Sequence, residues 1–299
     1  MQVDQETVHA WAFAWLYRFT WFFLALLFAG AILFQSVWLL AFAFFTLIVF
    51  LWANLVEPFL LTVKPFRVPL VEQPKAWLRV AFLSDLHAGG GKGKAFYARM
   101  AKRIMAERPD VILFGGDFVE LHEQALVELE PLKKLRAPGG IKFILGNHDW
   151  YDAPEDMRER IKKWGWDNVT NQRVTVSAKN QTFSLVGFDD VRVLTSDPTL
   201  LDDQKHHPSI LLVHGPDDLE GLDTKNIDLI LCGHTHGGQV RLPFFGAVAP
   251  FPMRAPRQYD RGLKDWQGTP FVISQGLGEA LLRLRLFCPP QIVIVEVGV

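Results

Sequence analysis

The chain has 299 residues, with 31 Lys and Arg against 32 Asp and Glu, a net charge of −1 and two cysteines. Near-neutrality gives no global reason to expect nucleic acid. Cys232 and Cys288 stand far apart in unrelated contexts, which excludes a disulfide framework and a cysteine zinc cluster. The length suffices for one large domain or two small ones with a sizeable core.

Between Trp11 and Leu61 the only charged residues are Arg18 and Glu57. A single helix from Phe19 to Leu60 would be about 60 Å long, roughly twice the hydrocarbon thickness of a bilayer. A hairpin broken at Gln35-Ser36 resolves the length, giving two predicted transmembrane helices over about 11–34 and 37–56 within a membrane anchor of residues 1–61. Trp11, Trp15, Tyr17 and Trp52 lie towards the segment ends, where interfacial aromatics collect. Asp4 and Glu6 precede the apolar run and no Ala-x-Ala-like site follows it, so a retained anchor is expected over a cleaved signal peptide. Neither segment has the strongly charged face of an in-plane helix. Lys64, Arg67, Lys75 and Arg79 follow the second segment while the Gln35-Ser36 loop is uncharged, which places the C-terminal domain on the cytoplasmic side of the inner membrane.

Residues 62–77, with Pro65, Pro69 and Pro74, read as an extended linker, and a soluble domain is expected over 78–299. There, short apolar runs predict buried strands at Arg79–Ser84, Val111–Phe114, Ile141–Leu145, Phe183–Phe188, Ile210–Val213, Leu229–Cys232, Phe271–Ser274 and Ile292–Val297. Helices are expected over Lys94–Glu107 and Leu121–Arg136. A third begins near Pro154, with Asp152 as its cap and Glu155 completing a capping box. The alternation predicts an α/β layered domain.

Metal-capable side chains follow five of these strands: Asp85 and His87, Asp117, Asn147 with His148 and Asp149, His214, and His234 with His236. Open α/β sheets gather their sites at that edge. Asp, Asn and His donors without thiolate suit manganese first, with iron or zinc as alternatives, and the donors are too many for one ion. Two divalent metal ions are therefore expected, with an excess of positive charge that selects phosphate esters. His148, next to a candidate ligand, is expected to stabilise or protonate the leaving oxygen, with Asp149 orienting its imidazole.

In order, Asp-x-His, Gly-Asp-x-x-Glu, Gly-Asn-His-Asp, His and Gly-His-x-His resemble the calcineurin-like metallophosphoesterase family, from Leu78 to the C-terminus. The resemblance implies a two-sheet metallophosphoesterase sandwich flanked by helices, hydrolysing phosphoric esters by attack of a hydroxide shared between two ions. It also implies that Asp85, His87 and His236 hold one ion, that Asn147, His214 and His234 hold the other, and that Asp117 bridges them. Gly-Gly-Gln-x-Arg-Leu-Pro over 237–243 is similar to the membrane-anchored bacterial branch, which includes UDP-2,3-diacylglucosamine pyrophosphatase-type enzymes. With the anchor, that leads to the expectation of a phosphodiester or pyrophosphate substrate linked to lipid and of membrane lipids as partners, while the near-neutral charge leaves no nucleic acid expected. The alternative is a catalytically silent membrane scaffold, which would be expected to have lost ligands.

Arg241, Arg254 and Arg257 follow the last block and are candidates to bind a substrate phosphate. The run Gly89–Lys94 lacks both the glycine spacing and the Ser/Thr of a nucleotide P-loop, which leaves a flexible loop whose lysines face phosphate or headgroups. Cys232 reads as core, and His9, His122, His206 and His207 as solvated or structural.

Overall fold

A computed structural model describes residues 5–190, 196–202, 208–248, 254–280 and 283–299, with side chains from residue 19 onward. His206, His207 and the side chains of His9, Trp11, Trp15 and Tyr17 lie outside the described residues.

The apolar N-terminal region forms α1 (Gln5–Leu33) and α2 (Val37–Leu51). The break falls where expected: Gln35 takes φ 47°, and the Ser36 hydroxyl caps α2 by accepting from the Leu39 N–H. Edge-on contacts between Trp21 and Phe50, and between Phe28 and Phe44, hold the two helices side by side. Of the two spans expected, one meets the criterion among the described residues. Val37–Phe59 is long and apolar enough to cross a membrane, whereas Phe19–Leu33 is apolar but shorter. Past α2 the chain passes through a π-helical turn, Trp52–Val56, and a 3-10 turn, Glu57–Phe59.

Residues 62–69, expected as a linker, are instead strand β1 (Thr62–Pro69), which pairs in parallel with the C-terminal strand β14 (Gln291–Gly298). Pro65 and Pro69 are tolerated because β1 is an edge strand. The first sheet runs β1-β14-β2-β3-β4-β5, with β2 Trp77–Leu83, β3 Val111–Gly115, β4 Ile141–Ile144 and β5 Asp167–Asn168. The second runs β12-β13-β9-β8-β7-β6, with β6 Gln172–Ala178, β7 Gln181–Gly187, β8 Ser209–Leu212, β9 Leu229–Cys232, β12 Gly262–Trp266 and β13 Thr269–Ile273. Each predicted strand is present within a few residues, because apolar runs buried on both faces are what parallel sheets require.

Between the sheets lies a core of Val80, Phe82, Leu113, Leu185, Leu212, Leu231 and Val295. A second core, including Phe96, Met100, Leu129 and Ile161, seals the outer face of the first sheet under α3 (Gly93–Ala106), α4 (Pro154–Lys162) and residues 123–134. That last segment is 3-10 rather than α-helical and contains Pro131, which removes an N–H and disfavours an α-helix. Asp152 does not cap α4. The N-cap is Ala153, while the Asp152 carboxylate accepts from the Glu123 N–H across the fold (3.2 Å).

The helical region is joined to the sandwich by buried polar contacts. Glu57 accepts from the Cys288 N–H (2.6 Å), the Arg285 N–H donates to the Ala53 carbonyl (2.9 Å), and the Lys92 ammonium donates to the Pro58 carbonyl. Lys92 and Arg285 both reach the Glu279 carboxylate, at 2.9 and 2.8 Å. The remaining Arg285 donors go to the carbonyls of Gln275, Cys288 and Gly278.

Candidate metal centre

Asp85 and His87 follow β2, Asp117 follows β3 and Asn147 follows β4, all from the first sheet; His214 follows β8, and His234 and His236 follow β9, from the second. The centre thus forms where the C-terminal edges of two sheets meet. Asp85, His87, Asp117, His234 and His236 all take φ between 46° and 67°, the left-handed region that side chains seldom enter. Each strand ends in a sharp turn there, and successive side chains fan towards one point.

Close approach dictates the neighbouring glycines. A Cβ on Gly146 would lie 2.2 Å from Asp117 Oδ1 and 2.4 Å from a ring carbon of His214; one on Gly233 would lie 2.4 Å from Asp85 Oδ2.

Two buried clusters result, Asp85 with His87 and His236, and Asp117 with His214 and His234, each with potential ligand atoms within 4.8 Å of one another. The first cluster has the three residues that the resemblance implies for one ion, and the second joins Asp117, expected as the bridge, to His214 and His234. Asp117 Oδ2 lies 3.5 Å from His87 Nε2 and 3.3 Å from His214 Nε2. Asn147 Oδ1 is 3.1 Å from His214 Nε2, in the second cluster.

The donor set fits cations on three counts. His214 Nδ1 donates to the Gly115 carbonyl (2.8 Å), and His87 Nδ1 faces the Glu120 carboxylate, so both rings turn Nε2 inward as metal-ligating histidines do. The Nε2 atoms of His87 and His236 lie 3.1 Å apart, aimed at shared space. Asp85 Oδ1 accepts from the His234 N–H (2.9 Å), but its buried Oδ2 has no hydrogen-bond partner among the described residues. A buried carboxylate oxygen in that state calls for a cation.

Electrostatics point the same way. Burial works to lower the His87 pKa, yet Glu120, Asp117 and Asp85 outweigh it and push it up to about 9. Burial also opposes charge on His214 and Asp117, but each holds the other ionised: His214 is raised well above the usual range and Asp117 lowered well below it. Burial lifts Asp85, and burial together with His87 depresses His236.

His148 sits at the rim, its ring edge-on to His87 and to Tyr151. Its Nδ1 lies 2.7 Å from the Glu120 carbonyl. Asp149 does not orient this imidazole. Its Oδ1 accepts from the N–H groups of Phe118 (2.7 Å) and Val119 (3.2 Å), and its Oδ2 from Gly146 N–H (3.0 Å), so it clamps the loops after β3 and β4 together. Burial and the neighbouring Asp117 charge push its pKa up to about 7. The orienting role falls to Glu120, which touches both His87 and His148. The sequence shows it only as the last residue of Gly-Asp-x-x-Glu.

The arginines are placed less directly. Arg241 donates to the Gly237 carbonyl (2.7 Å) and Asp260 (2.5 Å), bracing the loop after His236. Arg254 pairs with Glu220 (3.0 Å), and Arg257 is exposed in a 3-10 turn, Arg257–Asp260. Lys92, expected on a flexible loop, is instead buried against Glu279. Cys232 is core, as expected.

The family profile described as calcineurin-like phosphoesterase (Metallophos) matches residues 78–238. Phosphodiesterase YaeI of Escherichia coli (strain K12) is 31% identical over 238 residues, covering 77% of this chain and 86% of its own. An uncharacterized metallophosphoesterase of Aquifex aeolicus (strain VF5) is 30% identical over 255 residues, covering 81% and 93%. Metallophosphoesterase YkuE of Bacillus subtilis (strain 168) is 31% identical over 206 residues, covering 64% and 68%. With its paired Asp/His clusters at the sheet edges, the chain belongs to the calcineurin-like phosphoesterase family and is a metal-dependent phosphoric ester hydrolase.

Proposed function

We propose that the chain is a membrane-anchored phosphodiesterase or pyrophosphatase acting on a lipid-linked phosphorylated substrate, of the class of UDP-2,3-diacylglucosamine, at the cytoplasmic face of the inner membrane. The observation that carries the chemistry is the meeting of two buried Asp/His clusters at Asp117. Asp85, His87 and His236 would hold one divalent ion, and Asn147, His214 and His234 the other, with Asp117 between; manganese suits these donors best. Two such ions supply activation of water and neutralisation of the phosphoryl oxygens. His148, its Nδ1 engaged by the Glu120 carbonyl, keeps Nε2 for the leaving oxygen. Arg254 and Arg257 are the arginines proposed to meet a second phosphate.

The membrane reading is supported by the apolar stretch Val37–Phe59 and by side chains such as Trp38, 83% exposed. Lys64, Arg67, Lys75 and Arg79 support the cytoplasmic orientation. A silent scaffold is disfavoured because no candidate ligand is missing.

The test is hydrolysis of bis-p-nitrophenyl phosphate by the full chain in detergent across several divalent metals. Asp117→Ala and Asn147→Ala are expected to lower the rate on the order of 10³-fold and to reduce bound metal. A wild-type rate in either variant, or no hydrolysis with any metal, would refute the assignment.

A further inference from the structure

Immediately after the last histidine block the chain makes a small hairpin, β10 (Arg241–Leu242) against β11 (Gly246–Ala247). Its tip is Pro243-Phe244-Phe245. Phe244 is fully exposed and Phe245 is 71% exposed, with Leu242 and Val248 exposed beside them. Adjacent phenyl rings standing in water on a short turn are what a contact surface looks like before it is covered.

The hairpin is mounted on the end of the apolar helical region. The Arg241 N–H donates to the Leu286 carbonyl (2.9 Å), the Leu286 N–H donates to the Gln239 carbonyl (3.0 Å), and the preceding Arg285 N–H donates to Ala53 in the π-helical turn after α2 (2.9 Å). Phe287, next along the chain, is 56% exposed, and Leu55, Val56 and Leu60 are exposed at that helix end. The hairpin is thus tied through Leu286 and Arg285 to the end of the helices, where further exposed apolar side chains stand. Its other attachment is to the metal centre: Arg241 reaches the Gly237 carbonyl, one residue beyond His236.

We infer that the Phe244–Phe245 tip is a second membrane-contacting element, which inserts into the lipid interface beside the end of α2 and turns the rim of the metal centre towards the bilayer. The occupant is lipid because the tip is tied by backbone hydrogen bonds to the end of an exposed apolar segment suited to a bilayer, and because aromatic side chains partition to the membrane–water interface. This inference rests on the proposal that Val37–Phe59 lies in the membrane.

Cys232 and Cys288 are buried, so single introduced cysteines can carry an environment-sensitive fluorophore. The full chain is labelled at Phe244→Cys, at Phe42→Cys within α2, or at Glu159→Cys, an exposed position on α4. Each form is reconstituted in vesicles of phosphatidylethanolamine and phosphatidylglycerol. The label at 244 is expected to shift to the blue, to be quenched by nitroxide-bearing lipid and to be shielded from aqueous iodide, while the label at 159 shows the reverse. A label at 244 that behaves like the one at 159 overturns the inference. So does one shielded from iodide but not quenched by lipid, which would mean a second copy of the chain covers the tip. The label at 42 separates the two readings: if it is quenched by lipid while 244 is not, only this inference fails, and if neither is quenched the anchor fails with it.

Discussion

Arg285 is the residue whose replacement tests most sharply how the metal centre is held. Its guanidinium is fully buried and meets Glu279 at 2.8 Å and the carbonyls of Gln275 (3.0 Å), Cys288 (2.8 Å) and Gly278 (2.5 Å). Arg285→Met keeps much of the volume and removes every donor. Three carbonyls then lose a charged partner, at about 1–3 kcal/mol apiece if each stayed dry, though such losses are not additive. Lys92 stays 2.9 Å from Glu279, so the carboxylate is not left alone. Breaking a buried ion pair in this way costs about 3–5 kcal/mol, and the lower end applies here. For a domain of this size, about 3 kcal/mol lowers the unfolding midpoint by roughly 6–12 °C. The same loop sends the N–H groups of Leu277 and Gly278 to the Asp85 carbonyl, at 3.1 and 2.5 Å, so metal affinity should fall about 10–100-fold as well. Thermal unfolding of the detergent-solubilised full chain and manganese titration measure the two effects. Arg285→Lys should not restore either, since an ammonium cannot reproduce the planar fork. A midpoint shift below about 2 °C with unchanged manganese affinity would show that the network is not what supports Asp85.

Gly146→Ala should fold but lose about 100-fold in metal-dependent activity, because its Cβ would lie 2.2 Å from Asp117 Oδ1; normal metal content in the purified variant would contradict this. Glu120→Gln should return His87 from about 9 towards its ordinary value and weaken manganese binding about 10–100-fold, as read by titration at fixed pH. Lys92 predicts a pH effect. Burial first, then Arg285 and Arg283, lower its pKa from 10.5 to about 8 against the opposing pull of Glu279. A folded-state pKa below the unfolded value means stability that is fully present above pH 10.5 and lost as pH falls through 8. Relative to Lys92→Met, the wild-type unfolding midpoint should therefore climb between pH 8 and 10.5. Parallel curves for the two proteins would remove Lys92 as the cause.

The centre was legible because its chemistry is compressed into short blocks, each placed by a strand buried on both faces. The strands β3 and β9 read as uninterrupted apolar runs, β2 and β8 as runs broken only by Arg79 and Ser209, and their ligands follow directly. Polar or mixed strands at sheet edges were not legible. Gln172–Ala178 exposes alternate residues, Gly262–Trp266 is mixed, and β1 carries two prolines, so nothing local distinguishes them from loop until a neighbour supplies the ladder. Roles that depend on contacts far apart in sequence were hidden as well. Asp149 looks like a partner for adjacent His148 but is claimed by backbone donors of residues 118, 119 and 146. Lys92 looks like a loop charge until Glu279 and the end of the helical region enclose it.

The left-handed backbone at Asp85, His87, Asp117, His234 and His236 sets this centre against the stability of its own scaffold. Only glycine occupies that conformation freely, and an L side chain there costs about 1–2 kcal/mol. Selection for folding alone, blind to chemistry, would therefore favour glycine at these positions and dismantle the centre from its backbone outward. Asp and His at all five supply the donors that a metal centre needs, held at that backbone cost by the turns around them.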